Sequence, residues 1–377
     1  MTRIREGKTK RRVNRGATVE IDLSSLKHNL SLIRRIVHKK PVIAVVKADA
    51  YGHGAVEISK VLIAEGVTYL AVAFTGEAKI LREAGIDARI LVLFDRSGIE
   101  DFFEYDLIPV IQDVKSARAF SKEARRRGTR IPVHIKVDTG MGRVGLAAET
   151  AVSDALKIGG MHGIEIEGLL SHFSQADLSD RSFALRQIEI FKKIRSGIFK
   201  KIGRSLMLHM GNSAAVFSLK EAFFDAVRPG ISLYGYSPVK KTYGLRPLMT
   251  VRTAILVIRK MRAGLPVSYG RTFITKRESK IAVIPVGYAD GYSRSFSNNS
   301  EALVRGRRVP VVGRVCMDLT MVDVTGIDGV SEGDEVVLLG RQGKSTITAR
   351  ELSSRINTIP YEIITSLGSR ARKEYVF

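Results

Sequence analysis

The sequence predicts an α/β chain, a (β/α)8 barrel followed by a smaller, mainly antiparallel β domain. Three observations predict it. Eight short apolar runs lack strict alternation, as parallel strands covered on both faces do. Helical patterns separate them. Near Pro247 the texture changes to β runs broken by glycines.

Taken in order, residues 1–16 form a basic tail, with Arg3, Arg5, Lys8, Lys10, Arg11, Arg12 and Arg15 against Glu6 alone. The tail has no apolar segment and no serine, so it fits neither a secretory signal nor a transit peptide and reads as a solvated end. Residues 17–247 carry the barrel. Its strands are expected at 41–46, 69–74, 90–94, 108–111, 132–137, 166–171, 205–209 and 226–231. Helices are expected at 24–37, 54–64, 76–83, 114–127, 147–158 and 181–200, with Ser24 and Ser213 at N-cap positions. Eight βα units point to a closed, TIM-like barrel, with an open doubly wound sheet as the alternative. Residues 248–377 carry the β domain, with runs at 250–259, 280–286, 309–324 and 335–339 and one helix at 348–356.

Composition narrows the classes. Hydrophobic residues make up 45% of the 377 and charged residues 26%, a globular balance. No apolar run reaches the roughly 18 residues of a membrane span. The single cysteine, Cys316, excludes an intrachain disulfide and a four-cysteine zinc site, and suits a cytoplasmic protein. The net charge of +23 raises nucleic-acid binding, but no aromatic residues interleave the basic ones to stack bases.

The most informative stretch is Val45-Val46-Lys47-Ala48-Asp49-Ala50-Tyr51-Gly52-His53-Gly54. A lysine at the mouth of a buried strand is partly desolvated, which favours the neutral amine. Lys47 is therefore a candidate Schiff-base nucleophile. Barrels place their chemistry at the carboxyl ends of the strands. There the sequence sets Lys47 and Tyr51 after the first strand, and Lys136, Asp138 and Arg143 around the fifth. His172 closes the sixth; His209, Asn212 and Ser213 follow the seventh; Arg228, Gly230 and Ile231 follow the eighth. The last two loops are a barrel's usual phosphate seat. Ser213 at a helix start and Gly230 in a close turn suit an anion. A phosphate seat opposite a Schiff-base lysine suggests pyridoxal 5'-phosphate (PLP). No metal site is expected.

From about Val19 onward the chain resembles the alanine racemases. The resemblance rests on 45–54, on Lys136-Val137-Asp138-Thr139-Gly140-Met141-Gly142-Arg143-Val144-Gly145 and on His172-Phe173. It continues through Asn212-Ser213-Ala214-Ala215, Val227-Arg228-Pro229-Gly230-Ile231, Val267-Ser268-Tyr269-Gly270, Gly287-Tyr288-Ala289-Asp290-Gly291, Cys316-Met317-Asp318 and Tyr361-Glu362. It implies a homodimer with shared active sites and racemisation of alanine through a PLP aldimine, supplying D-alanine for peptidoglycan.

Racemisation needs acid/base groups on opposite faces of Cα. Lys47 can serve one, and by resemblance Tyr269 of the partner subunit serves the other. A phenol titrates near 10 in water, so it needs a neighbouring cation or donor to act as a base; by similarity His172 and Arg228 supply it. The resemblance also implies that Arg228 donates to the pyridine nitrogen; an arginine cannot surrender its proton, which would leave that ring a poorer electron sink. Arg143, the Met317 backbone and Asp318 are implied substrate contacts, the last from the partner. Tyr51, Asn212, Ser213, Gly230, Ile231 and Tyr361 are implied cofactor contacts, Tyr288 an entryway residue, and Lys136 a site of carbamylation.

Two rivals read the same residues differently. Gly140 to Gly145 satisfies a dinucleotide fingerprint, but the acid expected about 20 residues on could only be Glu165 or Glu167, at the wrong end of the next strand. Barrel decarboxylases need no second-face base, which Tyr269 argues against. Among racemases, serine or lysine specificity is the alternative to alanine.

Overall fold

Parallel strands joined by helices close on themselves in the N-terminal two-thirds of the chain. The computed structural model describes residues 16–203, 205–367 and 371–377. The barrel strands are β1 (Ile43–Val45), β2 (Tyr69–Val72), β3 (Arg89–Val92), β4 (Leu107–Ile111), β5 (Ile131–Asp138), β6 (Ile164–Leu170), β7 (Met207–Asn212) and β8 (Ala226–Arg228). Each is parallel to its sequence neighbour. A parallel bridge from Val42 to Val227 joins the last strand to the first. The Val45 N–H donates to the Pro229 carbonyl (3.0 Å) and the Val227 N–H to that of Pro41 (3.0 Å). The ring is therefore closed, and the open-sheet alternative falls. Leu70, Ile90, Val133, Ile135 and Leu169 are fully buried, which is why these runs show no alternation.

Two capping expectations are corrected. The first helix is Leu23–Ile36, and Asp22 rather than Ser24 does the capping: its carboxylate accepts from the Ser24 N–H at 2.9 Å. The helix Ser213–Ser218 is capped by Asn212, whose side chain accepts from the Ala215 N–H at 3.0 Å. Ser213 is thereby released for other contacts. The short helix Ile99–Glu104 was not predicted.

After β1 the chain makes a helical turn, Lys47–Gly52, of the wrong hand. Ala48, Asp49, Ala50 and Tyr51 have φ of 52°, 51°, 52° and 55°. L-residues pay roughly 1–2 kcal/mol each for that conformation, so it persists only where its surroundings impose it.

A second compact unit gathers the described residues from Pro247 onward with 16–24 and with Tyr51–Gly54. The sequence reading places 17–24 and Tyr51–Gly54 in the barrel domain instead. Strand Thr18–Asp22 pairs antiparallel with Met249–Ala254 and parallel with Arg372–Val376. It belongs to a sheet that continues through Glu335–Gln342 and Glu301–Val304 to Arg307–Pro310. Gly52 meets this unit so closely that a Cβ there would lie 2.5 Å from the Ile364 carbonyl oxygen. A three-stranded antiparallel sheet, Val257–Met261, Ser279–Ile284 and Thr320–Asp323, completes the unit. The expected run 309–324 is thus two strands with a loop between them, and helix Pro360–Ser366 joins the expected one, seen as Ala349–Arg355. The basic tail lies outside the described residues, apart from Gly16.

Candidate active site

At the carboxyl ends of the barrel strands the structure brings Lys47, Lys136, Arg143, His172 and Arg228 together. Phe94, just after β3, is the common neighbour of the first three. The Lys47 and Lys136 amines lie 5.7 and 5.3 Å from its ring centroid, and the Arg143 guanidinium 5.5 Å. Such distances allow cation–π attraction. Among the described residues none of Lys47, Lys136, Arg143 and Arg228 has a carboxylate within ion-pair distance. Burial, then the Arg143 charge, lowers the Lys47 pKa from its ordinary value. Burial, with Arg143 and Arg228, pushes Lys136 down to about 8. Asp138 and Glu77 act on these amines from a distance and offset burial only in part; cations left without a paired carboxylate make a receptor for an anion.

Arg228 is fixed from behind. One guanidinium nitrogen donates to His209 Nδ1 (2.8 Å) and to the His209 carbonyl. The other donates to the Ser171 carbonyl (2.6 Å) and, at longer range, to His172 Nδ1 (3.4 Å). An arginine only donates, so both histidines must accept at Nδ1 and carry their proton on Nε2. His209 Nε2–H then donates to His134 Nδ1 (2.7 Å), which forces the His134 proton onto its own Nε2. That buried atom has no partner among the described residues. Burial first, then nearby cations, keeps all three rings neutral: His134 falls to about 3, and His172 and His209 go well below the ordinary histidine value. His172 therefore offers a hydrogen-bond donor rather than the charge that the sequence left open. Gly168 has an ordinary φ, yet a Cβ there would overlap the His134 ring.

At the ends of β7 and β8, Ser213 Oγ accepts from the Gly230 N–H (2.8 Å), the Ser232 N–H (3.3 Å) and the Ser232 hydroxyl (3.0 Å). Its own proton remains to be donated beside the first-turn N–H groups of the helix it begins. Ile231 follows, fully buried.

The loop from Gly140 to Gly145 folds around Asp138. Asp138 accepts from the N–H groups of Gly140 (2.9 Å), Met141 (2.7 Å) and Arg143 (3.0 Å). Those donors are spent, which removes the diphosphate cradle a dinucleotide fingerprint would need. Gly145 has φ 130°, and a Cβ there would lie 2.8 Å from the Asp138 nitrogen.

The remaining candidates lie in the second unit. Tyr51 and Tyr361 have ring centroids 6.0 Å apart, and burial raises the Tyr51 hydroxyl so that it stays protonated. The N–H groups of Tyr288 and Ala289 donate to the carbonyls of Cys316 and Met317, each at 3.0 Å, tying the loop of Tyr288 to that of Met317 and Asp318. Ser268 Oγ donates to the Arg314 carbonyl (2.7 Å), which draws Tyr269 to the same group of loops. The Tyr269 side chain is 71% exposed.

Three residues escaped the sequence reading. Phe94 ends a predicted strand and looked like core. His134 lies inside a strand, where a histidine gives no signal. Glu77 sits in a helical pattern as one acid among several.

A buried amine among unpaired cations, at the carboxyl ends of barrel strands, defines a barrel enzyme for an anionic ligand. Comparison with known proteins narrows the class. The family model for the alanine racemase N-terminal domain matches residues 21–238, and that for the C-terminal domain residues 248–375. The alanine racemase of Thermodesulfovibrio yellowstonii is 51% identical over 368 residues, covering 97% of this chain and 99% of that protein. The solved alanine racemase of Clostridium difficile 630 superposes with a TM-score of 0.92 at 32% identity, covering 97% of each chain. That of Bartonella henselae, solved with covalently bound pyridoxal phosphate, does so with a TM-score of 0.86 at 30% identity, covering 96% of this chain and 99% of its own. The chain belongs to the alanine racemase family, a family of isomerases. Among the described residues no helix is long and apolar enough to cross a membrane.

Proposed function

We propose that the protein interconverts L- and D-alanine with PLP held by Lys47, as a cytoplasmic homodimer that supplies D-alanine for peptidoglycan. The observation that carries this reading is the Lys47 amine, partly buried among cations that have no acid partner. PLP fits that donor set: its phosphate matches the Ser213 hydroxyl, the Gly230–Ile231 turn and the helix start, and its ring nitrogen matches the Arg228 guanidinium, a donor no neighbour can deprotonate. When bound, PLP supplies the electron sink that acidifies the substrate Cα–H.

The chain's own residues do the rest. Lys47, its pKa lowered, takes or returns a proton at Nζ on one face of Cα. Tyr269 of the partner subunit does so on the other face through its hydroxyl, and its exposure in the single chain suits that role. Neutral His172 donates from Nε2. Arg143 and the Met317 backbone bind the substrate carboxylate, and Asp318 and Tyr288 line the entry. Tyr51 and Tyr361 add phosphate contacts, while Asn212 holds the helix start by its cap. Lys136, with a pKa of about 8, has the free amine needed to take up CO2 as a carbamate, releasing one proton.

Optical rotation of L-alanine, L-serine and L-lysine in the presence of the PLP-loaded protein tests the reading; loss of rotation with lysine alone would overturn it. Lys47→Ala is expected to abolish covalent PLP attachment. Tyr269→Phe is expected to keep attachment and lose racemisation, and an active Tyr269→Phe protein would refute the two-base assignment.

A further inference from the structure

The left-handed turn that begins at Ala48 is clamped by a residue with no role so far. Glu77 lies in the first turn of helix Thr75–Glu83. One carboxylate oxygen does ordinary capping work, accepting from the N–H groups of Ala73 (2.7 Å) and Phe74 (3.1 Å). The other reaches away from its helix and accepts from the Ala48 N–H at 2.5 Å. That N–H belongs to the peptide joining Lys47 to the first left-handed residue. On the other side of Lys47, the Val46 N–H donates to the Ala71 carbonyl at 2.9 Å. The Lys47 backbone is therefore held from both sides, by the β2 strand and by the helix that follows it. Asp49 fastens the turn further on, accepting from the Ala55 N–H at 2.7 Å. Four consecutive non-glycine residues at positive φ do not hold themselves there.

We propose that Glu77 is a positioning residue for Lys47: by gripping the Ala48 N–H it imposes the left-handed turn that keeps the amine at the barrel mouth. The inference rests on the reading of Lys47 as the cofactor-bearing residue. Glu77→Gln is the sharp probe. An amide has one accepting atom, so the variant can cap its helix only by turning its NH2 toward the Ala48 N–H, donor against donor. Glu77→Asp keeps the charge and withdraws the oxygens by one methylene, which separates position from electrostatics. Thr75→Val is the control; it removes the Thr75 hydroxyl bond to Asp95 (2.8 Å) at the same helix start and leaves Ala48 alone.

The experiment uses the full chain freed of PLP and measures amide hydrogen exchange and thermal melting, then PLP retained covalently after dialysis. Both Glu77 variants are expected to melt like Thr75→Val, yet to exchange about tenfold or more faster at 48–52 and to retain PLP about tenfold less well, as suits loss of a hydrogen bond to a charged group. Wild-type exchange and wild-type retention in Glu77→Gln would overturn the proposal, as would global unfolding of both Glu77 variants while Thr75→Val stays folded. A wild-type chain that never attaches PLP would instead sink the proposed function, and the exchange measurement would still judge Glu77.

Discussion

One cluster of arginines in the β unit and Arg228 in the barrel are held in opposite ways. In the β unit Arg308 meets Glu301 (2.8 Å) and Glu351 (2.6 Å), and Arg355 meets Glu301 (2.6 Å) and Glu351 (3.0 Å), a closed ring of four ion pairs. The Arg308 hydrogen bonds hold Glu351 down at about 2. In the barrel Arg228 is more deeply buried, has no acid beside it, and is held by carbonyls and neutral imidazoles; burial lowers it to about 10. A structural cation is satisfied inside the protein. A cation kept for a ligand is oriented by neutral acceptors, which fix its position without cancelling its charge.

The largest break in this contrast is Arg228→Leu. It takes the guanidinium donor away from the Ser171 and His209 carbonyls and from His209 Nδ1, and should cost about 3–5 kcal/mol of unfolding free energy, read from urea denaturation of the PLP-free chain. Acid comes next. His134 has a folded pKa of about 3 against an ordinary 6.5, so the unfolded chain binds more protons between those values. Stability rises with pH across that window and is lost as pH falls from about 6.5 toward 3, by up to about 1.4 kcal/mol per pH unit for this one ring. His134→Asn should flatten the slope of stability against pH there; an unchanged slope would remove His134 from the titration. Gly168→Ala should cost about 1–3 kcal/mol by overpacking against the His134 ring, and Gly168→Ala with His134→Ser should regain part of the loss. The smallest effect belongs to the exposed ring: Arg308→Ala should cost about 1 kcal/mol, and the difference from wild type should shrink in high salt.

The barrel was legible because parallel strands carry unbroken apolar runs and the helices between them keep their period; the expected helix 114–127 is observed as Val114–Arg127. The edges were less so. Thr18–Asp22 is short and half-polar, and its partners lie at the far end of the chain, so no local pattern announces it. The lysine, the Ser213–Gly230 pair and Arg228 were visible through their place after strands. The turn's hand was not, because Ala48, Asp49, Ala50 and Tyr51 all favour right-handed backbone, and the carboxylate that meets the Ala48 N–H comes from the helix after β2. Ser213 shows where a sequence reading misses: the cap expected of it belongs to Asn212, which leaves its hydroxyl to gather Gly230 and Ser232.

Gly168 and His134 carry a consequence for how this chain can change over time. Position 168 has an ordinary backbone, so nothing in its own conformation forbids alanine there; only the ring beside it on the neighbouring strand does. A side chain can enter 168 only after 134 has given up its imidazole, and losing that imidazole strands His209 before any gain arrives. The two positions can drift only as a pair, through an intermediate worse than either end, and that barrier guards the arginine's orientation from two strands away.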